Sequence, residues 1–324
     1  MLRRNFLQIM GSTVLAWPAV ARAETKNKVW RVAYLYPGSL ANPADHAIFD
    51  VFRMEMRHLG YVEGQNLVID ERSADGRLER LPALVAELIG LHPDVIVGVT
   101  TPAIAAAQRA TTTIPIIMAP ATDPIGSGFV KSFPHPGGNI TGMANMMGDS
   151  VGKAVELLHA IVPAAKRIAV LTSNNPTHPE QYRLAEMAAK TLALSAIQVS
   201  APTPDDLETA FATMTRESCN GLFVLGDFTR PTIPVLAAKA KLPAVYQSSA
   251  FVPLGALASY HPKIEAIYIK VAQYVDRIFK GANPADYPVE QPVVFELAVN
   301  LKTAAALGVT IPDSVLARAD RVIE

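Results

Sequence analysis

Only one cysteine, Cys219, occurs in the 324 residues, which excludes an intrachain disulfide. It lies far from the N-terminus, so no cysteine is available there for lipid attachment. Just ahead of the apolar run Leu222-Phe223-Val224-Leu225, it is expected to be a small buried packing residue. Aromatics make up 7% of the chain, and 29 basic residues balance 29 acidic ones. There is no basic patch to hold nucleic acid and no polybasic segment for a membrane surface. The seven histidines are scattered, with no His-x-x-x-His or His-Glu-x-x-His spacing, so no metal and no cofactor are expected. No Gly-x-Ser-x-Gly elbow occurs. Gly148-Asp149-Ser150-Val151-Gly152-Lys153 is one residue short of a phosphate loop, and Ala154 stands where that loop needs Ser or Thr.

What is present begins at the N-terminus. Arg3-Arg4-Asn5-Phe6-Leu7, the apolar run Ile9 to Val20 and Ala21-Arg22-Ala23 make a cleavable export signal over residues 1–23. The paired arginines point to the twin-arginine route. The apolar run is too short to span a bilayer and is interrupted by Pro18. The mature chain is expected to begin near Glu24 in the periplasm. Losing Arg3, Arg4 and Arg22 takes the basic count from 29 to 26 against 29 acidic residues, a net charge of −3. About three hundred residues remain, enough for two lobes.

The body alternates β-like runs with helical patterns. Strands are predicted at 31–36, 66–72, 94–99 and 114–119, with helices at 44–59, 78–91 and 103–110 between them. Asn139-Ile140-Thr141 fits a glycosylation triplet and also the start of a strand. After Gly142 the pattern restarts. Helices are predicted at 152–161, 180–192, 205–214 and 232–241, and strands at 167–171, 196–199, 221–225, 244–246 and 256–259. Residues 263–280 form the longest helical candidate, followed by a strand at 293–299 and a short helix at 302–307. Near-continuous apolar strands joined by helices imply an α/β protein with two doubly wound parallel sheets.

Ligands of such sheets bind beyond the carboxyl ends of the strands. Polar loops follow several of them: Pro37-Gly38-Ser39, Thr100-Thr101-Pro102, Thr122-Asp123-Pro124, Ser173-Asn174-Asn175 and Gly226-Asp227. A threonine before Pro102 fits a helix N-cap, and the same hydroxyls and free N–H groups suit a ligand carboxylate. Asp123 and Asp227 each fit a turn or cap. Asp227, beyond a fully apolar strand, is also placed to hold a ligand ammonium. Tyr36, Tyr246, Phe251 and Tyr260 are candidate apolar walls, and His261 follows Tyr260 at an expected crossing between lobes.

Several stretches together resemble the exported substrate-binding proteins of ABC transporters, in the branch that includes tryptophan and tyrosine binders. They are Leu59-Gly60-Tyr61-Val62-Glu63-Gly64-Gln65-Asn66, Asp123-Pro124-Ile125-Gly126, Pro136-Gly137-Gly138-Asn139-Ile140-Thr141-Gly142, Leu257-Ala258-Ser259-Tyr260 and Phe295-Glu296-Leu297-Ala298-Val299-Asn300-Leu301. The resemblance implies a type I periplasmic binding fold. Its two lobes would be residues 29–143 plus 261–288 and residues 144–260 plus 289–324, with three crossings near Gly142–Asn145, Tyr260–Pro262 and Tyr287–Gln291.

By the same resemblance, Ser39, Thr100, Thr101 and Asp123 would serve the ligand from the first lobe, and Asn175, Asp227 and Ser248 from the second. Phe228-Thr229-Arg230, Gln247-Ser248-Ser249 and His261 depart from the pattern of the amino-acid binders. The implied partners are a small carboxylate or amino-acid-like ligand and an ABC permease in the inner membrane. The protein itself would be a monomer and would not be an enzyme. A periplasmic sensor partnering a receptor or kinase is the alternative. No helix-turn-helix occupies the N-terminus, which argues against a gene regulator.

Overall fold

Trp30–Tyr36 (β1) sends Val32, Tyr34 and Tyr36 into one apolar cluster and Ala33 and Leu35 into another. A strand whose alternate residues are all buried belongs to a sheet covered on both faces. This is a computed structural model, and it describes residues 28–145 and 147–324. The export signal expected over residues 1–23 lies outside the described residues.

The chain continues through α1 (Pro43–His58), β2 (Leu67–Ser73), α2 (Leu81–Gly90), β3 (Val95–Val99), α3 (Thr100–Ala110), β4 (Ile116–Thr122) and β5 (Ile140–Asn145). All pairings in this five-stranded sheet are parallel, in the order β2-β1-β3-β4-β5. The start of α1 is set locally. The Asn42 side chain accepts the Ala44 N–H, Pro43 takes the first turn, and Arg57 and His58 complement the C-terminal end.

Then come α4 (Met147–Ile161), β6 (Arg167–Thr172), α5 (His178–Thr191), β7 (Ser195–Ser200), α6 (Leu207–Arg216), β8 (Gly221–Val224), α7 (Thr232–Lys239), β9 (Ala244–Tyr246) and β10 (Ala258–Pro262). The long α8 (Ile264–Phe279) returns to pack on α1, β4 and β5 of the first sheet. The remainder, β11 (Phe295–Asn300), α9 (Leu301–Leu307), α10 (Asp313–Leu316) and β12 (Arg321–Ile323), completes the second sheet. Its order is β12-β11-β10-β9-β8-β6-β7.

Two expectations need correction. The second sheet is not wholly parallel, because β10 and β11 run antiparallel from Ala258↔Val299 to Pro262↔Phe295. The chain enters β11 after a detour through the first lobe, so it arrives from the opposite end. Helix α3 begins at Thr100, ahead of the predicted start at 103. Neither threonine caps it: the N-cap position is Val99, with no side-chain hydrogen bond.

The chain passes between the sheets after β5, between β10 and α8, and ahead of β11. The first and third passages are tied together by Ala144 N–H to Glu290 O (2.9 Å) and Glu290 N–H to Gly142 O (3.1 Å). Gly142 has φ +126°, and a Cβ there would stand 2.6 Å from the Met118 nitrogen, so this strand requires glycine. Cys219 packs against the core of the second sheet as expected, but it is half-buried and not fully buried.

Candidate functional site

The loops after β1, β3 and β4 meet those after β6, β8 and β9 around a cavity of about 240 Å³. It sits where open α/β sheets place their ligands. From the first lobe it is lined by Tyr34, Tyr36, Asp45, Thr100 and Tyr268. Thr100 has φ +60°, a left-handed conformation that a β-branched residue adopts only under constraint. Its Oγ1 is buried without a hydrogen-bond partner. The Tyr34 and Tyr268 phenols lie together, and the Tyr268 hydroxyl donates to Ala119 O at 3.3 Å.

The second lobe contributes Asn175, Asp227, Thr229, Gln247 and Ser248. Asp227 Oδ2 accepts the Ser173 hydroxyl, while Oδ1 is buried without a partner. His178, 1% exposed, accepts the Ser173 N–H on Nδ1 (2.8 Å), so its hydrogen lies on Nε2, 3.2 Å from Gly226 O. Burial lowers the His178 pKa and favours the neutral ring. Serine, histidine and aspartate thus meet here, but the serine proton goes to aspartate and no base is placed to take it. The trio braces a loop.

Arg230 is 3% exposed, donates from Nη1 to Ala201 O (2.9 Å) and lies over the Phe228 ring. Burial pulls its pKa down, and the nearby Asp227 carboxylate pushes it back. Asp227 therefore has a cationic neighbour already.

The lobes touch at the front of the cleft. Thr229 approaches the Tyr36 phenol, and Asp45 interacts with the Thr229 and Tyr36 hydroxyls and with Asn42 Nδ2 at 3.1 Å. Burial raises the Asp45 carboxyl to about 6, against these hydrogen bonds. Gly38 lies against Phe228, and a Cβ there would be 2.8 Å from the Phe228 Cβ. At the rim Arg77 Nη2 pairs with Asp205 Oδ2 at 2.8 Å.

Of the residues expected to serve a ligand, Thr100, Asn175, Asp227 and Ser248 are brought together in this cavity. Asn175 Oδ1 is committed to the Thr177 N–H and hydroxyl, and Ser248 Oγ accepts the Ala250 N–H. Ser39 lies outside the lining, where its carbonyl accepts the Asn42 N–H of the turn into α1. Thr101 and Asp123 line a different cavity of about 640 Å³, also bounded by Thr122 and Asn145, whose side chains meet at 3.0 Å. The Thr101 hydroxyl accepts the Thr122 N–H, and Asp123 accepts the Gly126 N–H.

Tyr260 stacks on Phe295 at 5.6 Å, against the second lobe's core, because inward and outward positions alternate along β10. Tyr36 does form a wall, but Tyr246 and Phe251 pack on each other, tilted, within the core. His261 lines the cavity. Asp45, Thr229 and Tyr268 were not foreseen. Asp45 reads as a first-turn acid of α1 and Tyr268 as one more apolar position on α8; the only sequence signal was the polar Thr229-Arg230 after Phe228. Among the described residues no group of three or more His, Cys, Asp or Glu could hold a metal ion, and no helix is long and apolar enough to cross a membrane.

Residues 39–323 match the family described as ABC transporter substrate binding protein. The chain is 27% identical over 253 residues to the tyrosine-binding protein of Clostridioides difficile (strain R20291), covering 76% of this chain and 72% of that one. The ABC domain from Streptococcus pneumonia, solved in complex with L-Trp, superposes with a TM-score of 0.82 at 29% identity, over 91% of this chain and 99% of that one. A conserved domain protein from Vibrio cholerae O1 biovar El Tor gives a TM-score of 0.84 at 30% identity, over 91% and 100%. The fold is that of type I periplasmic binding proteins, and the chain belongs to the ABC transporter substrate binding protein family.

Proposed function

We propose that this substrate-binding protein holds a small α-amino acid between its lobes and delivers it, chemically unchanged, to an ABC permease of the inner membrane. The observation that carries the reading is a pair of buried, unpartnered oxygens in one cavity: Thr100 Oγ1 from the first lobe and Asp227 Oδ1 from the second. A hydroxyl beside the N-terminal turn of α3 suits a carboxylate, and a carboxylate oxygen suits an ammonium. The Arg230 charge near Asp227 favours a neutral zwitterion over a bare cation. At about 240 Å³ the cavity fits a metabolite smaller than a drug-sized ligand, whose pockets run from about 300 Å³.

Residues 29–143 plus 261–288 would act as one lobe and residues 144–260 plus 289–324 as the other, closing about the three passages. The relatives named for tyrosine and crystallised with L-Trp support the ligand class. The paired Arg3-Arg4 supports export through the twin-arginine route to the periplasm. The protein would act there as a monomer, without nucleic acid. Native mass spectrometry of the exported protein, with thermal melting against the free L-amino acids, tests the reading. A retained amino acid and a melting shift that grows with its concentration are expected. Failure of every amino acid to bind or shift overturns it.

A further inference from the structure

His261 and Glu265 line the same cavity where the chain leaves β10 and enters α8. His261 is 3% exposed, and its Nδ1 lies 2.6 Å from Pro262 O. A carbonyl oxygen only accepts, so the ring hydrogen is on Nδ1 and Nε2 keeps a bare lone pair. That Nε2 is buried and has no partner. Burial keeps the ring below its ordinary pKa, against the opposing pull of Pro262 O and Glu265, which favours the neutral acceptor. Glu265 Oε2 is buried and unpartnered as well.

Glu296 stands opposite His261 in the β10–β11 register, and Arg321 of β12 joins the lining. Buried acceptors without donors cost folding free energy unless something supplies the hydrogens. Two such atoms four residues apart, lining one cavity, ask for two donors on one group.

We propose that His261 Nε2 and Glu265 Oε2 together select the ligand's side chain, accepting hydrogen bonds from a terminal –NH2 or –NH3+ group. This rests on the amino-acid reading above and deepens it. A single donor, such as an indole N–H or a phenol, leaves one acceptor empty. A carboxylate at the ligand's tail faces two lone pairs and is rejected. The cavity's acids, Asp45, Asp227 and Glu265, outnumber its one arginine, which favours a nitrogen terminus over an acidic one.

The test is calorimetric titration of the exported protein with two isosteric pairs, lysine with 2-aminoheptanoic acid and glutamine with 2-amino-5-methylhexanoic acid. In at least one pair the nitrogen-bearing member should bind at least about 100-fold tighter, because its isostere leaves buried acceptors unpaired. In His261→Ala and Glu265→Gln that ratio should fall at least about tenfold. The second variant keeps the side chain's size, so its melting curve guards against a folding defect. Tight binding of tryptophan, tyrosine or leucine with no preference inside either pair overturns the subsite while the amino-acid reading stands. Binding of no amino acid overturns both. A nitrogen preference that survives both substitutions also overturns the subsite.

Discussion

Ser173 donates its hydroxyl hydrogen to Asp227 Oδ2, and the carboxylate's other oxygen is left buried and bare. One hydrogen bond thus leaves a single oxygen free for a guest. Asp227→Ala should weaken binding by about 2–5 kcal/mol, much of it from the ammonium left unpaired. Ser173→Ala should cost about 1 kcal/mol. Titration calorimetry of both variants against the retained amino acid checks the order.

Thr100 is predicted to exchange stability for affinity. Its φ of +60° costs about 1–3 kcal/mol in a threonine and little in a glycine. Thr100→Gly should melt no lower than the parent protein, and up to a few degrees higher, yet bind its ligand at least about tenfold more weakly for want of Oγ1. Differential scanning calorimetry without ligand, paired with titration, reads both effects.

Asp45 makes closure depend on pH. Burial raises its carboxyl from 3.8 to about 6, against hydrogen bonds from Thr229, Tyr36 and Asn42. A raised pKa means the folded, closed form binds the proton more tightly. The stabilisation is fully present below about pH 4 and is lost as pH rises through about 6. The shift amounts to about 3 kcal/mol at most. Melting temperature should therefore fall between pH 5 and pH 7 by more in the parent than in Asp45→Asn, which is neutral throughout. Equal slopes in the two proteins would contradict this.

Gly38 is predicted to matter most when the lobes are shut. An added Cβ would stand 2.8 Å from both the Phe228 Cβ and the Tyr36 ring. Gly38→Val should lower affinity at least about tenfold by wedging the cleft. The melting temperature without ligand should fall as well, because the buried Tyr36 ring lies in the same lobe. Small-angle scattering with saturating ligand should show a less compact form than the parent's.

The alternation of strands and helices was legible because each strand is a short apolar run whose burial on both faces needs no long-range information. The passage after β5 was legible for a similar reason, since the pattern visibly restarts after Gly142. Register along β10 was not. Tyr260 and His261 are neighbours in sequence, and which one faces the cleft depends on how β10 pairs with β9 and β11. Thr100 and Thr101 differ in the same way: adjacent hydroxyls serve separate cavities because the strand-to-helix turn at Thr100 has positive φ.

Local patterning by itself determined the class of fold, two layered α/β lobes with polar loops at the strand ends, because hydrophobic periodicity acts within a few residues. Only the tertiary structure decided which polar atoms are left without partners. Asp45 and Tyr36 meet Thr229 from across the cleft, roughly two hundred residues away in the chain, and Asp227 is half satisfied by Ser173 from another strand end. Hydrogen-bond satisfaction is a property of neighbours in space, and the order of residues along the chain does not contain it.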